Sequence, residues 1–146
     1  MASRSRDKFF RIPTLTMAQQ AGRVGVRFQN LRATFSRNHV VWTGCIIPSK
    51  DSDSYQVRIE YELRRRPKVF VVAPAIQRRD GKLPQHMFRD SSLCLHVPED
   101  WNSGLFIADS IVPWTYEWLY FYEIWLATGE WCGGGTEHSP SDKGRK

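Results

Sequence analysis

Hydrophobic and polar positions change their period along the chain, and the changes predict its elements. From Tyr55 to Leu63 they alternate strictly, with Tyr55, Val57, Ile59, Tyr61 and Leu63 on one side and Gln56, Arg58, Glu60 and Glu62 on the other. A period of two marks a half-buried antiparallel strand. Leu31 to Pro48 is rich in Val, Ile, Thr and aromatic residues and stops at a Pro-Ser-Lys-Asp-Ser-Asp-Ser turn, so it also predicts strand. Lys68 to Ala73, entered through a turn containing Pro67, is more uniformly apolar and predicts a fourth strand. Successive strands with short connections form a meander.

The period shifts to that of a helix at both ends. Thr14 or Thr16 can cap a helix reaching about Leu31, with Gly22 and Gly25 weakening it. Residues 105–131 predict a second helix, on which Trp114, Trp118, Phe121, Tyr122 and Trp125 form one aromatic stripe suited to packing on the sheet. Glu117, Glu123 and Glu130 interrupt its apolar run and argue against a membrane span. Between strands and helix, Pro74 to Trp101 shows only loop chemistry at Pro74, Asp80-Gly81, Pro84, Asp90 and Pro98. So long an irregular segment inside a domain predicts a functional loop. Residues 1–13 read as a mobile basic arm, 14–132 as the domain, and 133–146 as a flexible tail opened by Gly133-Gly134-Gly135.

Charge adds an asymmetry. The net +6 divides into +12 over residues 1–89 (18 Lys/Arg, 6 Asp/Glu) and −6 over residues 90–146 (3 Lys/Arg, 9 Asp/Glu). Apart from Arg64-Arg65-Arg66 the basic residues are scattered, which favours a solvated face first, an acidic protein partner second and nucleic acid last. Met1 to Phe10 is charged and lacks the apolar core of a secretory signal. The three cysteines, odd in number and unclustered, are therefore expected as free thiols in a reducing cytoplasm.

The candidate chemistry centres on Cys94, in Leu93-Cys94-Leu95-His96-Val97-Pro98-Glu99-Asp100-Trp101. A thiol there is either a small core residue, the commoner fate, or a nucleophile. In an extended Leu93–His96 segment His96 shares a side with Cys94, and His86 can fold back over it. Zinc is the other use of these residue types, but Cys94-x-His96 and Cys132-x5-His138 match no usual ligand spacing. A cysteine hydrolase using His86 or His138 suffers from the absence of a helix beginning at the thiol. Cys45 is expected to be buried in its strand and Cys132 to be a solvated bystander. A modifier ending in Gly-Gly ahead of a removable Thr136–Lys146 extension is disfavoured by the chain's length.

The order of parts carries further. An N-terminal helix, an antiparallel meander, a loop with Leu-Cys-Leu, a tryptophan and a helix resembles the ubiquitin-conjugating enzyme fold, an α+β architecture. Cys94 and Trp101 fall where that family has its active cysteine and a following tryptophan, and Arg66 to Pro74 resembles its proline-flanked fourth strand. The bacterial branch associated with cyclic-oligonucleotide antiphage signalling (CBASS) operons is more similar still. The similarity runs through Val41-Trp42-Thr43-Gly44, Ser92-Leu93-Cys94-Leu95, Pro113-Trp114-x-x-Glu117-Trp118-Leu119, Tyr122-Glu123-x-Trp125-x-x-Thr128-Gly129-x-Trp131 and the Gly-Gly-Gly-x-x-His138 ending. It covers about residues 14–138.

The resemblance implies a thioester-forming transferase without cofactor or metal. Cys94 would accept the C-terminal glycine of a partner, a cGAS-like nucleotidyltransferase, after adenylation by a separate activating enzyme, and pass it to an amine or another nucleophile. His86 and His96 would orient groups or move protons. The family's His-Pro-Asn triplet is absent, with His86-Met87-Phe88 near its place, so the oxyanion role falls to His86, Asn102 or backbone N–H groups. A non-catalytic adaptor of the same fold, binding an acidic protein through the basic half, is the alternative. Nucleic-acid binding, the third reading, would weaken steeply with salt.

Overall fold

The computed structural model describes residues 13–95 and 100–133. The arm before Pro13, His96, His138 and the tail from Gly134 lie outside the described residues. In chain order come helix α1 (Met17–Arg27), strands β1 (Leu31–Ser36), β2 (His39–Ile46), β3 (Tyr55–Glu62) and β4 (Lys68–Ala73), a 3-10 turn (Ile107–Asp109) and helix α2 (Ile111–Thr128). The fold is α+β, with one four-stranded sheet in the order β1-β2-β3-β4 and every pair antiparallel.

Thr16 starts α1 through a reciprocal capping box with Gln19: its Oγ1 accepts from the Gln19 N–H at 3.0 Å, and its own N–H donates to Gln19 Oε1 at 2.9 Å. The helix stops at Arg27, short of the expected Leu31, because Phe28 leaves helical backbone angles and packs its ring 5.9 Å from that of Tyr116 on α2. A buried polar side chain ties α1 to the segment ahead of α2. Gln20 is fully buried, donating to the Leu105 carbonyl at 2.9 Å and accepting from the Ile107 N–H at 2.8 Å. Outside it, Arg23 and Arg27 both engage the Asp109 carboxylate. Partial desolvation works against that charge, but the two guanidinium groups outweigh it and hold Asp109 below its ordinary value.

The expected strand region Leu31–Pro48 is two strands, turned at Arg37 and Asn38, with Arg37 at φ +46°. In β2 the buried positions are Val40, Trp42 and Ile46, so Cys45 falls on the opposite face. It is exposed, which corrects the expected burial: apolar neighbours in the sequence do not override the alternation of the strand. Gly44 is required by close approach, because a Cβ there would lie 1.9 Å from the Asn30 carbonyl oxygen. In β3 Tyr55, Val57, Ile59 and Tyr61 are buried as the alternation predicts. β4 is an edge strand with Val69 buried and Val72 exposed.

Helix α2 is shorter than the predicted 105–131 at both ends. Residue 106 is extended and 107–109 form the 3-10 turn. At the far end Gly129 adopts φ +87° and donates its N–H to the Trp125 carbonyl, while Arg79 Nε donates to the Leu126 carbonyl at 3.1 Å. Trp118, Tyr122 and Trp125 of the aromatic stripe are buried, whereas Trp114 and Phe121 are half-buried. The Tyr122 ring meets Tyr55 of β3 edge-on at 6.2 Å, which fixes the helix over the sheet. Among the described residues no helix is long and apolar enough to cross a membrane.

Candidate active site

The irregular segment after β4 contains two tight backbone pairings. Arg79 and Lys82 exchange hydrogen bonds across Asp80-Gly81, both at positive φ, as a two-residue hairpin loop of this type demands. A second, larger hairpin carries the thiol. Phe88 N–H donates to the Ser92 carbonyl at 2.8 Å, Met87 bridges Leu93, and Cys94 N–H donates to the His86 carbonyl at 2.8 Å. Leu93 N–H donates to the Val69 carbonyl at 2.8 Å, which docks the hairpin on the edge of β4. Leu93 is buried and Cys94 half-buried.

The turn is held electrostatically. Asp90 Oδ1 accepts from both the N–H and the hydroxyl of Ser92, at 2.9 and 2.6 Å, and its Oδ2 meets Lys68 Nζ at 2.9 Å. The Ser92 hydroxyl first, then the Ser92 N–H and Lys68, hold the Asp90 carboxyl well below the ordinary carboxylate range. Ser91, at φ +75°, completes the reversal.

The other wall is aromatic. The His86 carbonyl that receives the Cys94 N–H also receives the Trp118 indole N–H, at 3.1 Å. One acceptor thus joins the thiol's backbone to the second turn of α2. His86, at φ +64°, places its ring 5.4 Å from that of Trp131, which lies 5.3 Å from Trp118 and 6.4 Å from Phe121. Gly133 closes this corner: a Cβ there would meet Phe121 at 2.7 Å and Trp131 Nε1 at 2.8 Å. The residues following α2 therefore return over the hairpin.

Of the residues singled out in the sequence, Cys94 and His86 are brought together through their backbones. His96 lies outside the described residues. Trp101 is buried, its Nε1 donating to Ser110 Oγ at 3.1 Å and its ring meeting Tyr61 edge-on, so its place is the core. Asn102 turns its side-chain oxygen to the Gly104 N–H at 2.8 Å, a local turn contact. Cys132 is exposed, as expected of a bystander. Lys68, Asp90, Ser92, Trp118 and Trp131 are the contributors that spacing did not reveal as site residues. An Asp two residues before a Ser is a turn signal that could have pointed to the first such contact.

Among the described residues no group of three or more His, Cys, Asp or Glu is placed to hold a metal ion. Cys94 is half-buried on an ordered hairpin, its backbone N–H fixed to the His86 carbonyl, and a partly accessible thiol so positioned can act as nucleophile. The sequence profile of the family described as Type II CBASS E2 protein matches residues 20–139. No curated protein matches the chain.

Proposed function

Because the chain belongs to the Type II CBASS E2 proteins, we propose that Cys94 is the thioester-forming nucleophile of a ubiquitin-conjugating-like transferase acting in the cytoplasm. The observation that supports this most is the placement of Cys94: half-buried at the end of a braced hairpin, within the matched region.

The thiolate attacks the carbonyl carbon of an activated C-terminal glycine, an acyl adenylate or a donor thioester made by a separate activating enzyme. The S–C bond forms as the adenylate oxygen or donor sulfur departs with the electron pair. An amine then attacks the same carbon, the C–N bond forms, the C–S bond breaks, and the amine's proton is lost to a base. Thiolate is a good leaving group, so this exchange needs no metal or redox partner. Cys94 N–H is already committed to the His86 carbonyl and does not serve the oxyanion. We assign proton movement and orientation to His86 and His96. The acyl donor that fits the family is a cGAS-like nucleotidyltransferase.

The test is a non-reducing gel of the protein with its operon nucleotidyltransferase and activating enzyme. Wild type is expected to form an adduct cleaved by thiol and by hydroxylamine. Cys94→Ala is expected to form none, and Cys94→Ser none or a thiol-resistant oxyester. A thiol-sensitive adduct of the same size in Cys94→Ala would refute the assignment. Phage protection retained by Cys94→Ala would favour the non-catalytic adaptor instead.

A further inference from the structure

The hairpin that carries Cys94 has a second face. Between it and the β3–β4 turn lies a groove of about 350 Å³, at the small end of the ~300–1,000 Å³ typical of ligand clefts. Pro67, Phe88 and Leu93 give it apolar lining, and Arg66, Lys68 and Arg89 give it positive charge. Phe88 is 40% exposed although aromatic, and the Arg66 guanidinium carbon lies over its ring, 5.3 Å from the centroid. Stacking occupies the face of a guanidinium and leaves its N–H edge for a carboxylate. Lys68 is paired with Asp90, but neither Arg66 nor Arg89 has an acidic partner among the described residues.

We propose that this groove docks an acidic protein segment bearing an apolar side chain, with the apolar group on Phe88 and flanking carboxylates on Arg66 and Arg89. The chemistry selects a peptide over a nucleic acid. A phosphate backbone wants a continuous row of cations, whereas here the Asp90 carboxylate is part of the lining and Pro67, Phe88 and Leu93 interrupt the cations with apolar surface. The same hairpin ends at Cys94, so on the thioester reading a partner held in the groove is tethered to the element that carries the thiol. Only that last consequence rests on the thioester reading; the docking itself does not.

The test measures binding of a fluorescein-labelled peptide of alternating glutamate and leucine to the full chain by anisotropy. Wild type and Cys94→Ala are expected to bind alike. The double variant Arg66→Glu, Arg89→Glu is expected to weaken binding about tenfold or more, since it replaces two attractions by repulsions. Arg32→Glu, which reverses an exposed charge on β1, is expected to leave it unchanged. A glutamate–serine peptide is expected to bind more weakly than the glutamate–leucine peptide. Equal loss in Arg32→Glu and the double variant, or no saturable binding by wild type, overturns the groove. So does preference for single-stranded oligouridylate over the peptide. Because Cys94→Ala still binds while forming no adduct, failure of docking and failure of the thioester reading give different results.

Discussion

Cys45 and Cys94 sit in similar local sequences and in opposite kinds of structure. Cys45 stands between Gly44 and Ile46 and Cys94 between Leu93 and Leu95, so each is followed by an aliphatic residue. Cys45 belongs to an eight-residue strand laddered on both sides, by β1 and by β3, and its carbonyl also takes the Asn30 side-chain N–H at 2.7 Å. Its thiol merely decorates the outer face of the sheet. Cys94 lies in a short hairpin braced by a bridge, a bond to β4, a carboxylate in the turn and an indole. Redundant ladders make a position insensitive to its side chain. Sparse, specific contacts make it sensitive, and that is where chemistry can be tuned.

The largest effect should come from breaking the ladder side of this contrast. In Gly44→Ala the new methyl would lie 1.9 Å from the Asn30 carbonyl oxygen, a backbone atom that cannot rotate away. Forced movement of that kind costs ~1–3 kcal/mol or more, and the penalty is expected at or above the upper end. Urea unfolding should show a lower midpoint, while the Cys94 alkylation rate in the folded protein stays near that of wild type. Wild-type stability in this variant would mean that the β1–β2 entry is looser than its register implies.

A smaller change should act on the hairpin side. Trp118→Phe keeps an aromatic ring beside Trp131 but removes the N–H given to the His86 carbonyl. The carbonyl retains the Cys94 N–H, so the lost bond costs about 1 kcal/mol, and the smaller ring at this buried position adds a cavity penalty of about the same size. The informative reading is the ratio of the two thiols: Cys94 alkylation should change several-fold while Cys45 serves as the internal control. A variant that melts earlier with an unchanged ratio would assign Trp118 to the core alone.

The two sides of the comparison were unequally legible in the sequence. Strand β3 could be read directly because one face is buried, and a period of two records that fact residue by residue. The positions of β1 and β2 followed from composition, but Arg37 and Asn38, the turn between them, lack the glycine that announces a tight hairpin. The neighbours of Cys45 suggest an apolar strand, whereas only its parity relative to Trp42 decides its face. The ends of α2 are set by remote partners, Arg79 at one end and the segment bonded to Gln20 at the other, which no local window contains. For Cys94 the residues alone left two fates open, and motif order tipped the balance. Its bracing by Trp118 and Asp90 depends on a chain reversal that spacing does not encode.

The finest test concerns the hairpin turn and its dependence on pH. A carboxyl whose native pKa is depressed contributes stability above its unfolded value of about 3.9 and loses that contribution as pH falls through the native value. Asp90 is depressed, so its contribution should persist below pH ~4, where free aspartate is already substantially protonated, and fade only in stronger acid. The Asp90 carboxyl carbon, followed by NMR, should therefore titrate well below ordinary aspartate. Ser92→Ala should raise its midpoint most, because the hydroxyl bond is the leading cause of the depression, and Lys68→Met should raise it less. A normal wild-type midpoint, or a larger response to Lys68→Met than to Ser92→Ala, would put the control of this turn in its ion pair rather than in the serine. The Cys94 hairpin would then be sensitive to salt, which screens an exposed ion pair far more than a short hydrogen bond from a neutral hydroxyl.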